Sequence, residues 1–143
     1  MNLQFTIPGQ PVAKARARVT MVGGFVRAYT PKKTADYEAL VAGIAKRAMA
    51  GRAPSAAPIE VLLELRMEIP ASWTKAKRLA ASMGTVRATK KPDADNVLKG
   101  VKDACNGIVW VDDSQVVVIT VRKLYHADPC VVIAVREVEG EAA

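Results

Sequence analysis

The segment at residues 59–69 constrains the fold of this chain more than any other part of the sequence. Apolar residues occupy every odd position in it, and charged residues occupy four of the five even positions. Such strict alternation is typical of a β-strand with one buried and one solvated face. Pro70 ends the segment, so the sequence predicts a strand that places a core on one side of a sheet.

Weaker local patterns predict the elements on either side of this strand. Further strands are predicted at residues 3–7, on both sides of Gly23-Gly24, at 116–124 and at 130–138, with the last two paired antiparallel through a turn around His126. Helices are predicted from Thr30 onward, with Thr30 as N-cap and Pro31 in the first helical position, at 72–80 and at 96–106. These elements predict an α+β fold in which helices pack on a mixed or antiparallel sheet.

Length and composition limit what this fold can be. The chain has 143 residues and is 50% hydrophobic, so we expect a single domain over residues 1–143 with a frayed tail at 139–143. The sequence shows no signal-peptide pattern and no run of about 18 apolar residues, so we expect a cytoplasmic protein without membrane association. Cys105 and Cys130 lack a CxxC spacing and are expected to be buried and reduced.

The charge balance favours a polyanionic partner. Lysine and arginine number 21 against 14 aspartate and glutamate residues, for a formal net charge of +7. The alternative is a basic surface that serves only solubility. The candidate phosphate-binding residues are Lys14, Arg16, Arg18, Lys75, Lys77, Arg78, Lys90 and Lys91.

Two of these basic segments leave alternatives open. Lys14, Arg16 and Arg18 alternate, so in an extended backbone they would face one side at intervals of roughly 6.6 Å. That stripe would follow a phosphate backbone, or it would protect an edge strand from aggregation. Trp73 beside the basic 75–78 segment would stack on a base or, more commonly, anchor the packing of a helix start.

The carboxylates concentrate in two short motifs, DADNVLK at residues 93–99 and WVDDSQV at 110–116. Hard divalent cations prefer oxygen ligands and bridge to phosphate, so acidic clusters on a basic chain favour a metal-dependent nuclease. Purely structural roles are the alternatives: Asp95 as a helix cap, Asp112 and Asp113 in a polar turn, and Lys99 in an i,i+4 ion pair with Asp95. The only histidine, His126, lies in a predicted turn, so a histidine-activated nucleophile is not favoured.

One site can contain both motifs only if the chain returns along the intervening helix. The helix predicted at 96–106 advances about 16 Å. The step from residue 106 to residue 113 spans roughly 23 Å when extended. The return is therefore allowed by geometry, although the sequence does not require it.

The two motifs in register resemble the D-x-D-N-x-x-K and W-x-D-D-x-Q-V segments of RusA-type Holliday junction resolvases. The resemblance covers roughly residues 3–138, and the basic residues 14–18 together with YTPKK at 29–33 are similar to phage and prophage members. It implies a homodimeric endonuclease, dependent on Mg²⁺ with Mn²⁺ as a substitute, that nicks two opposing strands of a four-way DNA junction.

The resemblance also implies roles for individual residues. Metal-binding and catalytic roles fall on Asp93, Asp95 and Asp113, an essential cationic role falls on Lys99, and Asp112 is a further candidate ligand. The connection from the helix to the second motif is about one residue shorter than in the family prototype, so the choice between Asp112 and Asp113 stays open. The number of metal ions stays open too.

Two rival functions remain at this point. In the first, the protein is a non-catalytic basic DNA-binding module whose carboxylates only cap helices and form turns. In the second, it is a nuclease of the same fold that prefers other branched DNA.

Overall fold

A computed structural model describes residues 1–16 and 18–143 of the chain, except for the side chain of Arg18. The strands are β1 (Asn2–Pro8), β2 (Arg18–Val22), β3 (Phe25–Tyr29), β4 (Ile59–Glu68), β5 (Val116–His126) and β6 (Cys130–Glu137). The helices are α1 (Lys32–Met49), α2 (Lys75–Ser82) and α3 (Ala94–Cys105), and a 3₁₀ turn covers Asp113–Gln115. The predicted α+β fold is confirmed.

Strand β4 lies inside a four-stranded mixed sheet whose order is β1-β6-β4-β5. It pairs antiparallel with β6 and parallel with β5. Its odd-numbered residues from Ile59 to Met67 are all buried, so the alternation in the sequence identified this strand and its core-facing side correctly. Strands β2 and β3 form a separate hairpin at Gly23-Gly24, as predicted.

The predicted antiparallel pairing of β5 with β6 is wrong, because β4 lies between them. Residues 127–129 carry the chain past the end of β4, from one of its neighbours to the other. Two strand spacings are about 9.6 Å, and four Cα steps reach about 14 Å, so this short link is long enough. Val131, Ile133 and Val135 of β6 are buried, so β6 belongs to the core, whereas β5 forms the edge of the sheet.

Helices α1 and α3 cover one face of the sheet. Their core-facing apolar residues are Tyr37, Val41, Ala45 and Met49 from α1, and Val97, Val101, Ala104 and Cys105 from α3. Both cysteines are free and buried, as expected. Trp73 packs edge-on against Tyr125 with ring centroids 5.3 Å apart, and the ammonium of Lys77 lies 4.1 Å from the centroid of its ring. This geometry fits the packing role of Trp73.

Helix starts differ from the prediction by a few residues. Helix α1 begins at Lys32, with Pro31 in the cap position at an extended ψ of 143°, so Thr30 is not the N-cap. Thr34, in the first turn of α1, accepts a hydrogen bond at its hydroxyl from the Ala15 N–H at 3.0 Å. Helix α2 begins three residues later than predicted, after Thr74, whose side chain caps it by accepting the Lys77 N–H.

Candidate active site

The first acidic motif lies at the N-terminus of α3. The helix begins at Ala94, two residues earlier than predicted, so the cap position belongs to Asp93 and Asp95 lies within the first turn. Asp93 makes no side-chain capping hydrogen bond, and the reading of Asp95 as the helix cap is therefore wrong. Among the side chains that the structure describes, neither carboxylate has a cation within ion-pair distance. Both are exposed to solvent.

Lys99 lies one helical turn after Asp95 and is exposed. The sequence left open a simple i,i+4 ion pair between these two residues. Among the described side chains, Lys99 has no carboxylate within ion-pair distance. Its ammonium is therefore available to a ligand next to the Asp93 and Asp95 carboxylates.

Lys123 supports the segment that carries Asp93, and the sequence analysis missed it. Its ammonium donates to the backbone carbonyl of Lys90 at 2.6 Å and to that of Pro92 at 2.9 Å. The side chain reaches across from β5, where alternation places Lys123 on the same side as the buried Tyr125. A lysine at a core-facing strand position was the available signal, since a half-buried ammonium needs acceptors.

The second acidic motif gives its two aspartates different partners. Asp113 accepts a hydrogen bond at Oδ1 from the indole N–H of the fully buried Trp110, at 2.8 Å. Asp112 instead caps the 3₁₀ turn, because its Oδ2 accepts from both the backbone N–H and the hydroxyl of Ser114. Gln115 completes this capping box by accepting the Asp112 N–H. The hydroxyl and then the backbone N–H of Ser114 hold the pKa of the Asp112 carboxyl below its usual value.

Within one chain, the two acidic motifs lie at opposite ends of α3. Trp110 pairs with Asn106 directly after the helix. Burial raises the pKa of the Cys105 thiol to about 12, and the nearby charge of Asp113 adds to this shift. From Asp95 to Cys105 the helix advances about 15 Å. Throughout the described part of the chain, no three histidine, cysteine, aspartate or glutamate side chains are close enough to hold a metal ion together.

The donor set nevertheless suits Mg²⁺. This ion is usually bound by one or two carboxylates, with waters and substrate phosphates completing its shell. Asp93 and Asp95 supply two exposed carboxylates without an ion-pair partner in the described chain. These two carboxylates match the number of protein ligands that such a shell needs. The third carboxylate, that of Asp113, lies near the other end of α3 in the same chain.

The predicted phosphate-binding residues fall into separate groups. Lys90 and Lys91 are exposed immediately before Asp93 and line one surface depression; Lys75 and Arg78 of α2 line the next. Glu68 and Ala71 border both depressions, so these four cations share a continuous surface. Lys77 covers the ring of Trp73.

The predicted basic stripe at 14–18 is only partly described. The ammonium of Lys14 is paired with Asp103 at 2.5 Å and with Glu38 at 2.8 Å. Hydrogen bonds to Asp103 and then to Glu38 raise the pKa of Lys14. Arg16 is exposed; the Arg18 side chain lies outside the described residues. Lys14 therefore links helices α1 and α3. Arg16 is open to an anion.

Comparison with known proteins gives two findings. The family model described as endodeoxyribonuclease RusA matches residues 8–136. The chain is 37% identical to the uncharacterized protein YqaN of Bacillus subtilis strain 168 over 141 aligned residues. The alignment covers 96% of this chain and 98% of YqaN. Separately, none of the helices in the described residues has the length and apolar character needed to cross a membrane.

Proposed function

The chain belongs to the RusA endodeoxyribonuclease family, and on this premise we propose that it is a Mg²⁺-dependent homodimer that resolves four-way DNA junctions by paired nicks. Family membership makes it a hydrolytic nuclease of the Holliday junction resolvase type, which acts on branched DNA with a divalent metal. The choice of Mg²⁺, the dimer and the paired nicks go beyond what family membership establishes. Mn²⁺ is the expected substitute.

The observation that carries the proposal is the pair of exposed, unpaired carboxylates at the start of α3. In the described chain, Asp93 and Asp95 have no cation within ion-pair distance, although the protein carries a formal charge of +7. Their placement suits a divalent cation delivered together with a DNA phosphate.

Each residue of this site has a distinct role in the proposed reaction. Asp93 and Asp95 would hold the cation, and a cation held there would act as a Lewis acid toward the phosphoryl oxygens and the attacking water. The Lys99 ammonium neutralises negative charge that develops on the phosphoryl group in the transition state. Lys90 and Lys91 bind neighbouring phosphates and so position the scissile bond.

A second copy of the chain would complete the acidic site. Asp113 lies near the end of α3 opposite Asp93 and Asp95. A two-fold axis that sets two α3 helices antiparallel would bring the start of one helix beside the end of the other. The partner subunit's Asp113 would then approach Asp95, and the dimer would hold two sites, one for each nicked strand. The apolar edge strand β5, with Val117 61% exposed, is a candidate for the dimer contact.

The proposed function is tested with purified protein, Mg²⁺ and a synthetic four-way junction labelled on each strand in turn. We expect nicks in two opposing strands and none in a linear duplex of the same sequence. A protein that retards the junction in a gel and leaves all four strands intact would instead be a binding module. Faster cleavage of flaps or forks in the same assay would make it a nuclease for other branched DNA.

The shared site is tested by subunit complementation. Asp95→Asn and Asp113→Asn chains are co-expressed with different tags, and the mixed dimer is purified through both tags. If each site combines Asp95 with the partner subunit's Asp113, the mixed dimer holds one intact site and regains nicking of one strand. A mixed dimer as inactive as either parent would place all three carboxylates of each site in one chain.

A further inference from the structure

The hairpin formed by β2 and β3, residues 18–29, is the most exposed apolar element of the chain. Every side chain from residue 19 to residue 29 is exposed. Val19, Met21 and Val26 are each 67% exposed, and Phe25 beside the turn is 76% exposed. Gly23 and Gly24 both have positive φ, which is the type I′ geometry of a tight hairpin. An isolated two-stranded ribbon is marginal in water, so this hairpin arm is expected to bind a partner.

The two faces of the hairpin arm differ in chemistry. Antiparallel partners point to the same face, and the register pairs Val19 with Ala28 and Met21 with Val26 on a wholly apolar face. The other face pairs Val22 with Phe25 and Thr20 with Arg27. That second face therefore combines an aromatic ring next to the turn with a cation nearer the base.

The segment that leads into the hairpin arm is bonded to the helix that carries the acidic site. The backbone N–H of Lys14 donates to the carbonyl of Asn96 at 3.0 Å, and Asn96 directly follows Asp95. The Lys14 ammonium is paired with Asp103 of the same helix. The hairpin arm begins four residues after Lys14, at most about 14 Å along the chain, so DNA bound at the acidic site lies within its reach.

Charge favours nucleic acid over a second copy as the partner of the arm. The first acidic residue of the chain is Asp36. The hairpin arm and the two residues before it carry Arg16, Arg18 and Arg27 and no acidic residue. A second copy brings the same positive charge, whereas DNA brings phosphates that suit a basic arm.

We propose that the hairpin arm binds DNA at the branch point, with Phe25 inserted between bases that it unstacks and with Arg16 and Arg27 on the flanking phosphates. Apolar side chains inserted between base steps are a known means of holding distorted DNA. A planar ring can stack on any base, so this contact selects branched structure rather than sequence. The inference rests on the proposed function, because branched DNA must be the substrate.

The test compares Phe25→Ser with the matched control Met83→Ser. Met83 is 73% exposed and follows α2, outside the hairpin, so neither substitution removes core packing. The probe is a four-way junction with 2-aminopurine at its centre, assayed in Ca²⁺ so that the strands stay intact. The unsubstituted protein and Met83→Ser should raise the fluorescence. Phe25→Ser should fail to raise it and should bind the junction at least about tenfold more weakly, with linear duplex binding unchanged.

The outcomes separate this inference from the proposed function. If the unsubstituted protein cleaves the junction and Phe25→Ser matches Met83→Ser in binding and fluorescence, the DNA role of the arm is overturned and the nuclease stands. If Phe25→Ser shifts the protein from dimer to monomer in light scattering, the arm binds a second copy and the inference is overturned. Failure of the unsubstituted protein to cleave any junction counts against the proposed function itself.

Discussion

The indole N–H of Trp110 donates a hydrogen bond to Oδ1 of Asp113 at 2.8 Å. Trp110 is fully buried, so this bond orients the Asp113 carboxylate from a rigid support. The neighbouring Asp112 uses its carboxylate to cap the 3₁₀ turn. The structure thus gives the two adjacent aspartates separate roles, with Asp113 the better candidate for the metal.

Asp113→Asn and Asp112→Asn should therefore have different effects. Asparagine is an acceptable cap, so Asp112→Asn should keep most cleavage activity. Asp113→Asn removes a charge that the proposed metal site needs, and cleavage should fall by more than about 100-fold, since outer-shell partners of a metal alone contribute about 10- to 100-fold. Junction cleavage rates of the two variants, with folding checked by circular dichroism, decide the matter. The opposite ranking would make Asp112 the ligand.

Lys123→Met should weaken the proposed metal site although Lys123 is not one of its ligands. The substitution removes both hydrogen bonds that hold the backbone before Asp93. The Mg²⁺ concentration for half-maximal cleavage should rise about 10- to 100-fold, and saturating Mg²⁺ should restore much of the rate. Arg122→Met is the matched control, because Arg122 is exposed on the adjacent position of β5. Equal Mg²⁺ concentrations for half-maximal cleavage in the two variants would show that Lys123 does not position the metal ligands.

Lys99→Ala should reduce the rate of cleavage and leave junction binding nearly intact. Loss of a group that stabilises transition-state charge costs roughly 100- to 1000-fold in rate. Lys102→Ala is the control, since Lys102 lies one turn further from the acidic pair on α3. Single-turnover rates at saturating Mg²⁺ separate chemistry from binding. A rate for Lys99→Ala equal to that of the control would contradict the transition-state role.

Arg16→Ala and Lys90→Ala should each change the salt dependence of binding. A lost phosphate contact lowers the slope of log affinity against log salt by about 0.9. Arg136→Ala is a useful comparison, because Arg136 is paired with Glu60 on the sheet and is not assigned to DNA. Binding isotherms from low to high salt give the slopes. Unchanged slopes for both variants would show that Arg16 and Lys90 do not contact phosphates and only contribute to a solvated basic surface.

The sequence was most informative about features that depend on neighbouring residues, although its local cap signals placed the helix starts one to three residues off. Alternation along β4 revealed its buried face, because side chains of a strand point to opposite faces in turn. The Asp93 and Asp95 motif was visible because its two carboxylates are only two residues apart in the sequence.

Features that depend on distant parts of the chain were not readable. The insertion of β4 between β5 and β6 is set by which strands pair, and local signals for two strands joined by a turn are the same in either arrangement. Lys123 and the carbonyl of Lys90 are 33 positions apart, so nothing local reveals their contact. The separation of Asp95 from Asp113 follows from the way the chain leaves α3 through Trp110, a buried contact that spacing alone does not specify.

The most direct test of the central claim is cleavage and binding of a four-way junction by Asp95→Asn. Asparagine is nearly isosteric with aspartate, so the first turn of α3 should remain intact, while the charge that Mg²⁺ needs is gone. We expect cleavage to fall by more than about 100-fold. Binding should persist or tighten, because a negative charge facing the phosphates has been removed. Full cleavage by Asp95→Asn, in Mg²⁺ on a junction that it binds, would contradict a metal site at the start of α3.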